Sequence, residues 1–126
     1  MNKARVIRTS ASGFDVRGWW ESVDYATVLR PEDTAEFIVV FQEVHSPMPM
    51  HVHPNFDEVY IIHSGLGSVV LDGESHEVGP CDVVWIPRGT RHAALPASSS
   101  FQMWAVGRAP AEGEEIMALR VGEGET

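Results

Sequence analysis

The sequence predicts an all-β domain, a small barrel or sandwich, and three observations predict it. Short segments rich in Val, Ile and aromatic residues recur along the chain. Turn-forming groups such as Ser64-Gly65, Asp72-Gly73, Gly79-Pro80 and Arg88-Gly89 separate them at near-regular spacing. The 126 residues make one domain, long enough to bury a core without disulfide staples.

In chain order, the strand segments are residues 25–29, 36–44, 58–63, 68–71, 75–78, 82–86, 91–95 and 101–106. Asp72-Gly73 is the clearest hairpin turn, because a two-residue turn of the favoured hand needs positive φ at its centre. Residues 1–24, with Gly13, Gly18 and Trp19-Trp20, read as an N-terminal arm or edge strand, 25–110 as the barrel and 111–126 as a C-terminal tail. Within the tail, 114–121 suits a short helix or a last strand, and 122–126 is a frayed end.

Net charge is −9, with 18 acidic against 9 scattered basic residues, so nucleic acid and anionic membranes are excluded as partners. The longest apolar run, residues 37–41, is too short to span a bilayer. Cys81 is the single cysteine, so no intrachain disulfide forms. The basic start lacks a following apolar segment, and a cytoplasmic location is the expectation.

The stretch His51-Val-His53-Pro-Asn-Phe-Asp-Glu58 concentrates metal-binding groups. Side chains alternate along a strand, so His51 and His53 share a face. A turn through 54–56 lets Glu58 reach the same point, with Tyr60 and Ile62 on its strand face and Val59, Ile61 and His63 on the other. Two histidines and a carboxylate with open positions suit a catalytic first-row metal. A second stretch, residues 79–92, ends a strand at Pro87, turns at Gly89 and opens the next strand at His92, a path that can bring His92 to the first three groups.

Together these stretches resemble the two motifs of the cupin family. The first is His-x-His, a glutamate, then a glycine after six residues, matched by His51, His53, Glu58 and Gly65; the second, Pro-x-Gly-x-x-His, is matched by Pro87, Gly89 and His92. Departures fall at His45 and Cys81, where the motifs begin with glycine, and at Pro96, where asparagine is common; Gly79 is a candidate to serve the turn at 79–82 in place of Cys81. The resemblance, over residues 36–106, implies a double-stranded β-helix (jelly-roll barrel) with one divalent ion per chain (Fe, Mn, Zn or Ni) held by His51, His53, Glu58 and His92. It also implies a homodimer.

Fold does not fix activity. The first expectation is a metal-dependent oxygenase of the dioxygenase type, acting on a small apolar or aromatic molecule. The alternatives are a Lewis-acid isomerase or polyketide-cyclase-like protein, a lyase with Tyr60 as base, and a non-enzymatic ligand binder. Glu58 and Tyr60 are the candidate catalytic residues; Tyr60 is equally a core tyrosine whose hydroxyl finds a partner. His45, His63 and His76 read as surface groups, Arg88 and Arg91 as exposed turn residues, and Cys81 as a buried, inert thiol. Most of Phe37, Phe41, Met48, Met50, Phe56, Trp85, Phe101, Met103 and Trp104 should fill the barrel; the inward parity of the strands that carry Gln42, Gln102 and Trp104 is not fixed by pattern.

Overall fold

A computed structural model describes residues 4–8, 20–29, 37–108 and 118–121. They form ten strands: β1 (Val23–Leu29), β2 (Phe37–Val44), β3 (His51–Val52), β4 (Glu58–Ser64), β5 (Gly67–Leu71), β6 (Glu74–Val78), β7 (Val83–Ile86), β8 (His92–Pro96), β9 (Phe101–Arg108) and β10 (Leu119–Arg120). The first sheet has the order β1-β2-β9-β4-β7 and the second β10-β3-β8-β5-β6, with every pair antiparallel. This is the expected all-β jelly roll. The chain changes sheets between β3 and β4, which is what sets His51 and Glu58 on facing walls. Expectations for residues 9–19 and 122–126 lie outside the described residues. Of the two options for 114–121, the described part is a strand: Leu119 and Arg120 pair with Val52 and His51.

Alternation holds where one wall faces the core. Glu58, Tyr60 and Ile62 are buried, while Ile61 and His63 are exposed. On β9, Phe101, Met103 and Ala105 point inward, and on β2 the inward set includes Gln42 and Val44. The opposite parity forms two apolar rows on the outside of the first sheet. One runs Val39, Val106, Val59, Trp85; the other runs Phe41, Trp104, Ile61, Val83. Phe37, Phe41, Trp85 and Trp104 therefore do not fill the barrel: Phe37 and Trp85 are more than half exposed, and Phe41 packs edge-on against Trp104 at 4.8 Å.

The turns show why particular residues sit there. Asp72 and Gly73 have φ of 47° and 86°, the hand a two-residue hairpin requires. Gly65, at φ 82°, packs so tightly on the Ser100 backbone that a Cβ would overlap its carbonyl oxygen. The turn at 79–82 departs from expectation. Gly79 opens it, accepting a hydrogen bond from Asp82 N–H at 3.0 Å, but Cys81 is the residue that adopts positive φ, at 75°. Turns with Pro at the second position and φ above zero at the third favour glycine there, because a Cβ crowds the backbone. Cys81 is also exposed, not buried. We predict that Cys81→Gly stabilises the fold by about 0.5–1 kcal/mol, relief of left-handed strain outweighing the added freedom of the unfolded chain. Cys81→Ala leaves stability within about 0.5 kcal/mol of wild type. Urea denaturation midpoints check both.

Candidate metal centre

The centre is assembled from both sheets. His51 in β3 lies directly across from His92 in β8, and their ring centroids are 4.1 Å apart. His53, just past β3, places its ring 5.0 Å from each of them. Glu58 enters from β4 of the first sheet, in a lateral row with Gly107 and Ile86. The missing side chain at Gly107 leaves room for Phe56, whose ring lies 4.3 Å from that of His53. Two loops carrying the motifs are tied together: Gly89 N–H donates to the His53 carbonyl at 2.9 Å, and Asp57 Oδ1 accepts from Arg88 N–H at 2.9 Å and Arg88 Nε at 3.2 Å. Arg88 thus binds the first-motif loop and is exposed, as expected of a turn residue.

His51, His53, Glu58 and His92 are all buried, and His92 is fully so. A carbonyl oxygen only accepts, so the 2.8 Å contacts of His51 Nδ1 with Pro49 O and of His92 Nδ1 with Thr90 O fix the proton on Nδ1 in both rings. Their Nε2 lone pairs are left for another partner. Glu58 Oε1 stands 3.2 Å from His92 Nε2 and 3.5 Å from His53 Nε2. Neither Glu58 Oε1 nor His92 Nε2 has a hydrogen-bond partner, although both are shut off from water. Facing lone pairs at this range need a cation or an extra proton between them.

The spacing suits a cation. Two ligands each about 2.1 Å from one ion, at right angles, stand about 3 Å apart. The candidate ligand atoms of the three histidines lie within 4.8 Å of one another, so three buried histidines can hold a metal ion, with Glu58 alongside. Burial, followed by the His92 ring, lowers His51 to about 3, which keeps it neutral and ready to ligate. Burial pushes the Glu58 carboxyl up, but an added proton on His53 or His92, 3.2–3.5 Å away, outweighs burial and lowers Glu58 to about 2.

Tyr60 points inward as its spacing from Glu58 requires, with its ring 6.1 Å from that of His92. Its hydroxyl donates to Met48 Sδ at 3.8 Å, a weak acceptor. Burial, then the Glu58 charge, raises its phenol well above the usual range, so in the ion-free protein it is a donor and not a base. His45, His63 and His76 are exposed, outside the cluster. Sequence reasoning missed Trp20, whose ring lies 4.9 Å from His51, and Tyr25, buried on β1 and coupled electrostatically to Glu58. The available signal for Tyr25 was its even spacing from Val23 in a β-rich run, which places both on the core face.

With this geometry in place, comparison with known proteins decides the family: the pattern of the cupin domain matches residues 33–103, more than half of the chain. The chain belongs to the cupin family. No curated protein sequence matches it. Among solved structures, it resembles KdgF from Halomonas sp., with 15% identity, a TM-score of 0.75, and coverage of 87% of this chain and 97% of that one. It also resembles the polyketide cyclase RemF from Streptomyces resistomycificus, with 20% identity, a TM-score of 0.76 and coverage of 95% and 87%. A salicylate 1,2-dioxygenase from Pseudoaminobacter salicylatoxidans shares 14% identity and a TM-score of 0.65, over 73% of this cupin but only 28% of the dioxygenase chain. At these identities the likeness is one of fold.

Glu58→Gln tests the reading of the facing lone pairs. An amide in that place donates an N–H to the imidazole lone pairs, so the ion-free variant should unfold at or above the wild-type midpoint. Its stabilisation by added zinc should shrink, whereas wild type gains about 4 kcal/mol at a thousandfold excess over Kd. Calorimetry with and without zinc checks both parts.

Proposed function

We propose that the protein is a metal-dependent enzyme acting on a small apolar or aromatic molecule, with His51, His53, Glu58 and His92 as the ligands of one divalent ion. The observation that carries this reading is the pair of orphaned, buried lone-pair atoms, Glu58 Oε1 and His92 Nε2, aimed at one point among three imidazoles. Imidazole and carboxylate together suit Fe, Mn, Zn or Ni. Such an ion supplies Lewis acidity and, where it is redox-active, dioxygen chemistry. The chain's own part is to fix the tautomers of His51 and His92 through their Nδ1 hydrogen bonds, keep Glu58 ionised, and surround the open side with apolar walls and phenol donors.

Oxygenation is the first reaction class. An imidazole and carboxylate ligand set and an aromatic-rich interior suit it, and the dioxygenase resemblance lends support in its cupin portion. A second reading, Lewis-acid cyclisation or isomerisation, is favoured by one observation: the resemblance to the polyketide cyclase runs nearly end to end on both chains. Burial makes the Tyr60 phenol a hydrogen-bond donor in the ion-free protein; the lyase reading, in which Tyr60 would be the base, needs a bound cation to lower it. A homodimer and a cytoplasmic location remain part of the proposal; sedimentation at twice 13.9 kDa would support the former. Among the described residues, no helix is long and apolar enough to cross a membrane.

The test compares iron-loaded with zinc-loaded protein on hydroxylated aromatic acids, salicylate and gentisate first, with an oxygen electrode and product detection by mass. Oxygen uptake in step with substrate loss, with iron only, is the oxygenase result. Turnover with zinc and no oxygen uptake is the Lewis-acid result. His92→Ala should lower bound metal from one equivalent to well below it and abolish either activity; retention of a full equivalent would refute the ligand assignment.

A further inference from the structure

Among the described residues, Tyr25 and Ser22 carry buried hydroxyls that the ligand set leaves without a partner, and Tyr25 is the one in the core cluster. It lies on the inward face of β1, across from the buried Gln42 of β2. Its side chain is 7% exposed and packs in the cluster that contains Met48, Tyr60 and Ile62. Its hydroxyl is shut off from water and has no hydrogen-bond partner; the Trp20 backbone is near enough to act on it electrostatically but not in hydrogen-bonding geometry. A phenylalanine would fill the same space without burying an unmatched O–H, which is costly.

Several relations place this hydroxyl beside the metal centre. Tyr25 shares one buried cluster with Tyr60 and Met48, near enough to the Glu58 carboxylate for its charge to act on the phenol. Trp20, which lies near it, has its ring against His51 at 4.9 Å. Tyr60 differs, since its hydroxyl contacts the Met48 thioether and also meets the Glu58 carboxylate, a strong acceptor. Tyr25 is the phenol of the two that lacks a partner, a donor in search of an oxygen atom.

We propose that Tyr25 is a substrate-positioning residue which donates a hydrogen bond to a negatively charged oxygen of the ligand bound at the ion: a carboxylate, enolate or phenolate on an otherwise apolar molecule. An anionic oxygen gains most from O–H donors in a dry site and pairs with the ion's positive charge. Apart from Gln42, the buried residues around Tyr25 are mostly apolar, so the remainder of the ligand is apolar too. This inference rests on the metal-centre reading proposed above.

The experiment uses cobalt(II)-loaded wild type and Tyr25→Phe, titrated with salicylate and with oxalate as oxygen-anion probes and with imidazole as a probe that needs only the ion. The visible absorption of cobalt reports binding. Tyr25→Phe should keep one cobalt per chain and bind imidazole as wild type does, but bind at least one oxygen-anion probe about tenfold more weakly, the loss of one charge-assisted hydrogen bond. The ion-free thermal midpoint of the variant should equal or exceed that of wild type. Equal affinity of wild type and Tyr25→Phe for both oxygen-anion probes overturns the proposal and leaves the metal centre standing. So does a parallel loss of imidazole binding, which would make Tyr25 merely structural. If wild type takes up no cobalt, both readings fall; if it takes up cobalt but neither oxygen-anion probe changes its spectrum, the Tyr25 proposal alone falls.

Discussion

The position of one proton on each of two imidazoles governs this site. His51 and His92 donate from Nδ1 to the carbonyls of Pro49 and Thr90, and that choice turns both Nε2 lone pairs toward the space shared with Glu58. Moving either proton to Nε2 would set Nδ1 and the carbonyl together as two acceptors and remove a lone pair from the space shared with Glu58. The acceptors are backbone atoms just before β3 and β8, so the tautomers are set by the same strand entries that set the sheet register. Fold and coordination chemistry are thus linked through two hydrogen bonds.

The second constraint is that the cluster joins two sheets. Histidines come from the wall containing β3 and β8, and the carboxylate from the wall containing β4. Without an ion or an added proton, the interior holds an ionised carboxylate facing lone pairs, a costly arrangement that a domain of ordinary stability keeps only for use. The Asp57–Arg88 contact and the Gly89–His53 hydrogen bond fasten the two motif loops, limiting how far the walls can drift apart. Burial of His51 and the charge balance around Glu58 then leave a neutral His51 and an ionised Glu58, the protonation states a divalent cation requires of them.

Much of this was legible in the sequence because period-two alternation is strict where one face is buried. Glu58, Tyr60 and Ile62 could be assigned to one wall from spacing alone, and Asp72-Gly73 to a hairpin from turn chemistry. Parity failed on β2, β7 and β9. Their outward residues, including Val39, Phe41, Trp85, Trp104 and Val106, are as apolar as the inward ones, so hydrophobicity carries no phase. The Cys81 turn was misjudged because Gly79 supplied the obvious glycine, whereas positive φ falls on the residue after Pro80. Tyr25 carried no motif; its relation to Glu58 runs from β1 to β4, three places apart in the first sheet, a long-range relation that no local pattern encodes.

The most direct measurement is X-ray absorption on protein loaded with zinc or cobalt after removal of any histidine tag, combined with metal content per chain. The account predicts one ion per chain with three imidazoles and one carboxylate oxygen in its first shell, at about 2.0–2.2 Å. Failure to bind a stoichiometric ion, or a first shell with fewer than three imidazoles, would contradict it.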